Sequence, residues 1–253
     1  MLDTVDDVVL VVLIVAFALF FMAVLNRFWP AAKRSTHNDI IGWQLSILGT
    51  TYAVIIGFML YTVWTNFGLA LANASAEANS IQNVYRLAEG LPDPQRNQLK
   101  NAARVYADTV IQQDWPAMAH STSASLKSRD VAASMWRILM SVKAASPNEI
   151  LAEDHAISEL SAVVAYRKVR ETESISTLPT VLWFVLIIGG GLTVMSSCTF
   201  GSTNLWLHAL QVFAFSLLIS LVLAAIADID RPFQGSVHVS DSAFRRAQIN
   251  MKE

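Results

Sequence analysis

The sequence predicts an all-α membrane protein: four transmembrane helices, with a helical aqueous domain inserted between the second and third. Three observations predict it. Only 15% of the 253 residues are charged and 54% are hydrophobic, whereas soluble domains carry about 25% charge. The charges are also segregated, since 23 of the 38 fall between Leu69 and Leu178, 11 basic and 12 acidic, and long stretches elsewhere hold none. Finally, that charged segment has a single glycine, Gly90, and no alternating β-branched run, which favours helices over strands.

The first span is expected over 8–28. Val8 to Leu25 is an unbroken apolar run of 18 residues, close to the roughly 20 that cross a bilayer core. Its start, Asp3, Asp6 and Asp7, is acidic and no small-residue cleavage site follows, so it reads as a retained anchor and not a signal peptide. The second span, 41–67, lies in the uncharged stretch from Ile40 to Ala76. From Ser174 to Ala227 there are 54 residues without Asp, Glu, Lys or Arg, enough for two crossings at about 20 each. They divide into 179–199 and 205–227 at the turn signal Gly201, Ser202 and Asn204. The organisation is therefore spans one and two in 1–68, an aqueous domain in 69–178, spans three and four in 179–228, and a C-terminal tail in 229–253.

Prolines punctuate the aqueous domain: Pro92, Pro94, Pro116 and Pro147, with Pro179 opening the third span. They imply helices over 69–89, 94–114, 129–145 and 147–176. Ser146, Pro147, Asn148 and Glu149 read as a capping box with proline at the first helical position. Only Gly68 separates the second span from Leu69–Glu89, so the two are expected to form one helix about 70 Å long, a rod coupling the membrane to the aqueous domain.

Several classes of chemistry lack a foothold. A net charge of −2 argues against nucleic-acid binding. A lone cysteine, Cys198, permits neither an intramolecular disulfide nor a Cys-built zinc site. No phosphate loop, zinc-protease His pair or nucleophile elbow occurs, so no enzyme activity, metal or cofactor is implied. Glu149, Glu153, His155 and Glu159 share i,i+4 relations but read as a solvated charged face.

The second span has two faces. At 100° per residue, Gln44, Thr51, Ile55, Phe58, Thr62 and Asn66 lie within about 40° of one line, which continues to Asn73 and Ser80. Opposite them, Gly49, Ala53 and Gly57 form a small-residue row of the kind that lets membrane helices approach closely. Ser and Thr often bond their own helix backbone, which would explain each polar residue singly. A stripe of six facing away from a packing row favours a lumen shared by several copies, with Ile55, Phe58 and Thr62 at its narrow section.

Charges near the membrane have two readings. Asp228 and Asp230, beside Arg231, either anchor the end of the fourth span or face a pore mouth, and Glu77 on the extended rod is read as a vestibule charge. Arg27, Lys33 and Arg34, between the first two spans, either meet lipid headgroups or form an anion-concentrating ring. His208 and Gln211 are expected to bond across helices or meet the interface, and Gly189, Gly190 and Gly191 to give a close helix contact or a hinge. Four spans place both termini and the aqueous domain on one side. Near the membrane that side has seven basic residues against three, which predicts an inner-membrane protein with a cytoplasmic domain and cytoplasmic termini; the first span taken alone votes the other way.

Particular strings resemble the bestrophin-like family. They are Leu48-Gly49-Thr50-Thr51-Tyr52-Ala53-Val54-Ile55-Ile56-Gly57-Phe58, Leu178-Pro179 opening the third span, and Asp228-Ile229-Asp230-Arg231-Pro232-Phe233-Gln234-Gly235 closing the fourth. Bestrophins are ring-shaped pentameric channels, mostly for anions, lined by the second span; the resemblance implies the same here. Two features depart from it. Of the aromatic neck residues only Phe58 matches well, and after Phe233 only Asp241 stands where animal relatives carry a calcium-binding acidic run. The expectation is a homo-oligomeric, pentameric ion channel leaning toward anions, whose partners are the lipid bilayer, copies of itself and a permeant inorganic ion. The alternative is a membrane scaffold or sensor that recruits a partner through its helical domain and conducts nothing. A transporter fits less well, because paired broken helices and inverted repeats are missing.

Overall fold

The structure, a computed structural model, describes residues 2–120 and 127–252, with side chains from Val8 onward; the acidic side chains of Asp3, Asp6 and Asp7 lie outside the described residues. The described residues are helical, without strands. In chain order the helices are α1 (Leu2–Phe28), α2 (Ala31–Arg34), α3 (Asn38–Leu87), α4 (Gln95–Thr109), α5 (Trp115–Ala119), α6 (Ser128–Leu139), α7 (Pro147–Glu173), α8 (Thr180–Cys198), α9 (Leu205–Ile229) and α10 (Ser242–Asn250). Four of them, α1, α3, α8 and α9, are long and apolar enough to cross a membrane. The chain divides into two compact units, Met1–Thr65 with Thr177–Asp230, and Asn66–Ser176 with Arg231–Glu253.

The first unit contains the apolar helices. Both α1 and α8 pack on α9, burying Ala18, Met22, Val194, Val212 and Ile219 together with Tyr52 from α3. A second cluster joins Val63, Leu178, Leu186 and Ile226. Asn204 caps α9 by accepting from the Leu207 N–H at 3.1 Å, which explains why the fourth span starts where Gly201 and Ser202 end the turn.

In the second unit, Ile81, Leu99, Tyr106, Met135 and Leu160 are fully buried in one core. Pro116 does not end a helix as its position suggests. The chain passes from α4 through a π-helical turn, Val110–Asp114, into α5, whose first turn holds the proline, where a missing N–H is tolerated. Helix α6 stops at Leu139, short of 145, because residues ahead of α7 serve its cap: Glu149 Oε2 accepts from the N–H groups of Ala145 and Ser146, and Ser146 Oγ accepts from the Glu149 N–H. These N–H donors hold the Glu149 carboxyl below its usual range. The residues after Asp230, read from sequence as a tail, place Phe233, Val239, Phe244, Ala247 and Met251 in the same core. Their turn uses Gly235 at φ 75°, a left-handed conformation that favours glycine.

Candidate functional site: the unpartnered faces of the second span

Helix α3 is much less buried than its apolarity would suggest. In its most apolar 18 residues only 11% are buried, against 22–33% in α1, α8 and α9. What it does bury is a stripe through Ile41, Tyr52 and Val63. Gln44, Thr51, Phe58, Thr62 and Asn66 are exposed and Ile55 is half-buried, with Phe58 65% exposed. Beyond Asn66 the line turns inward: Asn73 donates to Glu173 Oε1 at 2.7 Å, and Ser80 is buried. Burial raises the Glu173 carboxyl above its ordinary range despite the Asn73 bond, and its other oxygen, Oε2, is buried without a hydrogen-bond partner.

Exposed tryptophans stand near both ends of the stripe, which extends past the second of them only at Asn66. Trp43 and Trp64 are 70% and 59% exposed and stand about 32 Å apart along the helix, close to the roughly 30 Å hydrocarbon thickness. Aromatic residues favour such interfaces. Between these marks the stripe runs from polar (Gln44, Thr51) through apolar (Ile55, Phe58) to polar (Thr62). The Thr62 hydroxyl donates to the Phe58 carbonyl at 2.8 Å, the self-bonding expected of a membrane threonine.

The row Gly49, Ala53 and Gly57 does not form a helix seam within the chain. A Cβ added at Gly49 or Gly57 meets nothing within 4 Å, and Ala53 is exposed. The small residues that permit close approach lie on α8 instead. Tyr52 is buried there, its hydroxyl donating to the Leu186 carbonyl at 2.9 Å. A Cβ on Gly189 would lie 2.8 Å from the Tyr52 ring, and one on Gly190 would lie 2.8 Å from its hydroxyl oxygen. Sequence reasoning missed Tyr52 as a packing residue, although it sits inside the string that carries the family resemblance.

Charges expected at mouths separate into exposed and buried. Arg27 and Lys33 are exposed. Arg34 is not a mouth charge, being fully buried, with Nη1 donating to the Cys198 carbonyl at 2.8 Å and Nη2 to Asn26 Oδ1. The reason is electrostatic: Cys198 ends α8, whose last carbonyls lack helical partners and favour a cation. The neighbouring chain is held by Asn38, which donates to the Gly201 carbonyl at 2.8 Å and accepts from the Gly201 N–H at 2.9 Å. Gly201 tolerates no side chain, since a Cβ would stand 2.4 Å from the Ser35 nitrogen. His208 Nε2 lies 3.2 Å from the Ser197 carbonyl, tying α9 to the end of α8, while Gln211 is exposed. Asp228 is half-buried. Asp230 accepts from the Leu178 N–H with both carboxylate oxygens, at 2.9 and 3.1 Å, anchoring the chain just ahead of Pro179.

Glu77 does not face a vestibule. It is fully buried in the second unit, where Arg170 Nε donates to its Oε2 at 2.7 Å, Arg170 Nη2 to its Oε1 at 3.0 Å, and the Tyr106 hydroxyl to Oε1 at 2.7 Å. Arg170 Nη2 also lies 3.4 Å from Asp114 Oδ2, on the π turn. Its guanidinium faces Trp115 and Phe244, 5.5 and 5.9 Å from the ring centroids. Burial alone would lower the Arg170 pKa, but the Glu77 carboxylate, with Tyr106 and Asp114 beside it, outweighs burial, and the net direction is up. Burial, and then the same carboxylate, hold the Tyr106 phenol well above its ordinary value, so it remains a neutral donor. Phe233 packs edge-on against Trp115, whose Nε1 donates to the Val239 carbonyl at 3.1 Å.

The bestrophin-like domain matches residues 12–244. The chain belongs to the bestrophin-like family. Among solved structures, this bestrophin-like chain is similar to a bacterial bestrophin homologue from Klebsiella pneumoniae, with 10% identity, 95% of this chain and 96% of that one covered, and a TM-score of 0.71. A single-substitution variant of the Klebsiella protein gives 10% identity, coverage of 95% and 97%, and a TM-score of 0.72. A crystal structure described only as a membrane protein variant gives 9%, 95%, 97% and 0.73. No curated protein matches the sequence. At these identities the likeness establishes the fold of this multi-pass membrane protein.

Proposed function

We propose that copies of the bestrophin-like chain assemble in a ring, most simply a pentamer, and conduct an inorganic ion along an axis lined by α3. The observation that carries the reading is the 11% burial of this helix's apolar window within one protomer. A helix whose polar stripe and small-residue row are both uncovered calls for neighbours on its flanks and water on one face. Gln44, Thr51, Ile55, Phe58, Thr62 and Asn66 would face the axis, with Phe58 as the apolar constriction. The family resemblance supports the pentamer and a preference for anions, and the basic-residue count supports an inner-membrane protein with the helical domain and both termini in the cytoplasm. Exposed Arg27 and Lys33 are the basic side chains left to meet ions or headgroups at the other mouth.

The test is halide efflux from liposomes containing the purified full-length chain. Wild type releases halide faster than protein-free liposomes, and Phe58→Ala changes conductance or open probability in planar bilayers. Halide efflux no faster than the protein-free control, at confirmed reconstitution, refutes anion conduction, and the same result for potassium efflux refutes conduction altogether. Unaltered currents in Phe58→Ala remove that residue from the constriction.

A further inference from the structure

We propose that Glu173, held by Asn73 at the aqueous end of the α3 stripe, sets the charge selectivity of the conduction path: neutral, it leaves anions unopposed, and ionised, it favours cations. The inference rests on α3 lining the path and names the titratable group that governs which ions pass. Helix α3 carries no charged residue from Ile40 to Ala76, so over that stretch its own side chains give the path no formal charge. Asn73 continues the stripe about two turns, or about 10 Å, past Asn66. There its amide donates to Glu173 Oε1 at 2.7 Å, which sets a carboxyl from 100 positions away against the line.

The site opposes ionisation. Glu173 Oε2 is buried with no hydrogen-bond partner, a costly place for a carboxylate oxygen. Glu173 is also the last residue of α7, where unsatisfied carbonyls form a negative helix end. Burial accordingly raises its pKa, against the weaker pull of the Asn73 bond. The neighbouring cations are engaged elsewhere. Arg170, one turn back on α7, is bound to Glu77 and Asp114, and Arg167 pairs with Glu171 at 3.4 Å. On α3 the charged residue one turn past Asn73 is Glu77, the acceptor of Arg170, and the connection Ser174–Leu178 carries no charge. A proton needs no cavity, and Glu173 is half-buried, so solvent can supply and remove it. The carboxyl is therefore neutral at low pH and ionised as pH rises. A half-buried charge is screened by salt less than an exposed one, and one from each copy gives a ring around the axis.

The test is the chloride-to-potassium permeability ratio of the full-length chain in planar bilayers, read from reversal potentials in a potassium chloride gradient between mildly acidic and mildly alkaline pH. In wild type the ratio falls several-fold as pH rises. Glu173→Gln holds the acid value throughout. Asn73→Leu removes the donor that favours the ionised form and moves the transition to higher pH, so a folding defect in either variant leaves the other decisive. Infrared difference spectra read ionisation without any current: a protonated-carboxyl stretch disappears on alkalinisation in wild type and is absent in Glu173→Gln. A ratio independent of pH, or a dependence unchanged in both folded variants, overturns the proposal and leaves conduction standing. A Glu173 carboxyl that ionises no later than exposed glutamates overturns it whether or not current flows. Absence of both chloride and potassium flux at every pH refutes conduction itself, and this inference with it.

Discussion

Arg170→Met removes a cation that is 0% exposed and leaves Glu77 and Asp114, 0% and 1% exposed, facing each other in an apolar core. Breaking a buried pair by deleting one partner costs about 3–5 kcal/mol. For a chain of this size each kcal/mol moves the melting temperature by about 2–4 °C, so a fall of about 6–20 °C is expected. The counter-experiment removes all three charges together, Glu77→Leu, Asp114→Leu and Arg170→Met. An apolar replacement of a complete buried set is often neutral or stabilising, so most of the loss should return, less about 1–3 kcal/mol for the Tyr106 hydroxyl deprived of its acceptor. The assay is thermal unfolding of the purified protein in one detergent at one scan rate. A single variant within about 2 °C of wild type, or a triple variant no more stable than the single, would refute the assignment of this cluster as a fully desolvated ion pair.

The other predictions concern local packing and titration. Gly190→Ala should destabilise by about 1–3 kcal/mol through collision with Tyr52 and Ile219, whereas Gly191→Ala, with open space at its Cβ, should be neutral or stabilising by up to about 1 kcal/mol; equal melting temperatures for the two would exclude the Tyr52 contact as their difference. Asp230→Ala should cost about 1.5–3 kcal/mol by removing the charged acceptor of the Leu178 N–H, measured as a lower unfolding temperature in the same detergent. Glu173→Gln should raise the melting temperature at neutral pH. The folded-state pKa of Glu173 is raised by burial, so its contribution to stability is present below the unfolded value of about 4.3 and is lost as pH rises through the folded value. The advantage of the Gln variant should therefore shrink on acidification, and an advantage that grows as pH falls would contradict the burial argument.

The legibility of the molecule follows the range of each interaction. Spans were readable because lipid offers no hydrogen bonds, so a crossing segment must satisfy its own backbone and carry about 20 apolar residues wherever it packs. The capping box at Ser146 and the turn before Leu205 were readable for the same local reason: donor and acceptor lie three residues apart. The 3.6-residue period placed Gln44, Thr51, Phe58, Thr62 and Asn66 on one side of α3, and that side is exposed.

Periodicity names a helix face but not what covers it. Gly49, Ala53 and Gly57 had the composition of a packing seam, yet Tyr52, a position away, makes the intrachain contact, because its complement lies on Gly189 and Gly190 of α8. Charge is equally ambiguous in one dimension. Arg34 and Lys33 are adjacent and alike in sequence, and only one reaches the carbonyl end of a helix 164 positions away. Glu77 could meet water until Arg170, 93 positions on, was brought against it. By itself, the sequence determined which segments leave water and how each helix begins, since those energies are set within a few residues. Tertiary structure alone decided which charges are sealed and which glycines are filled, because those energies depend on partners that only helix packing brings within bonding distance.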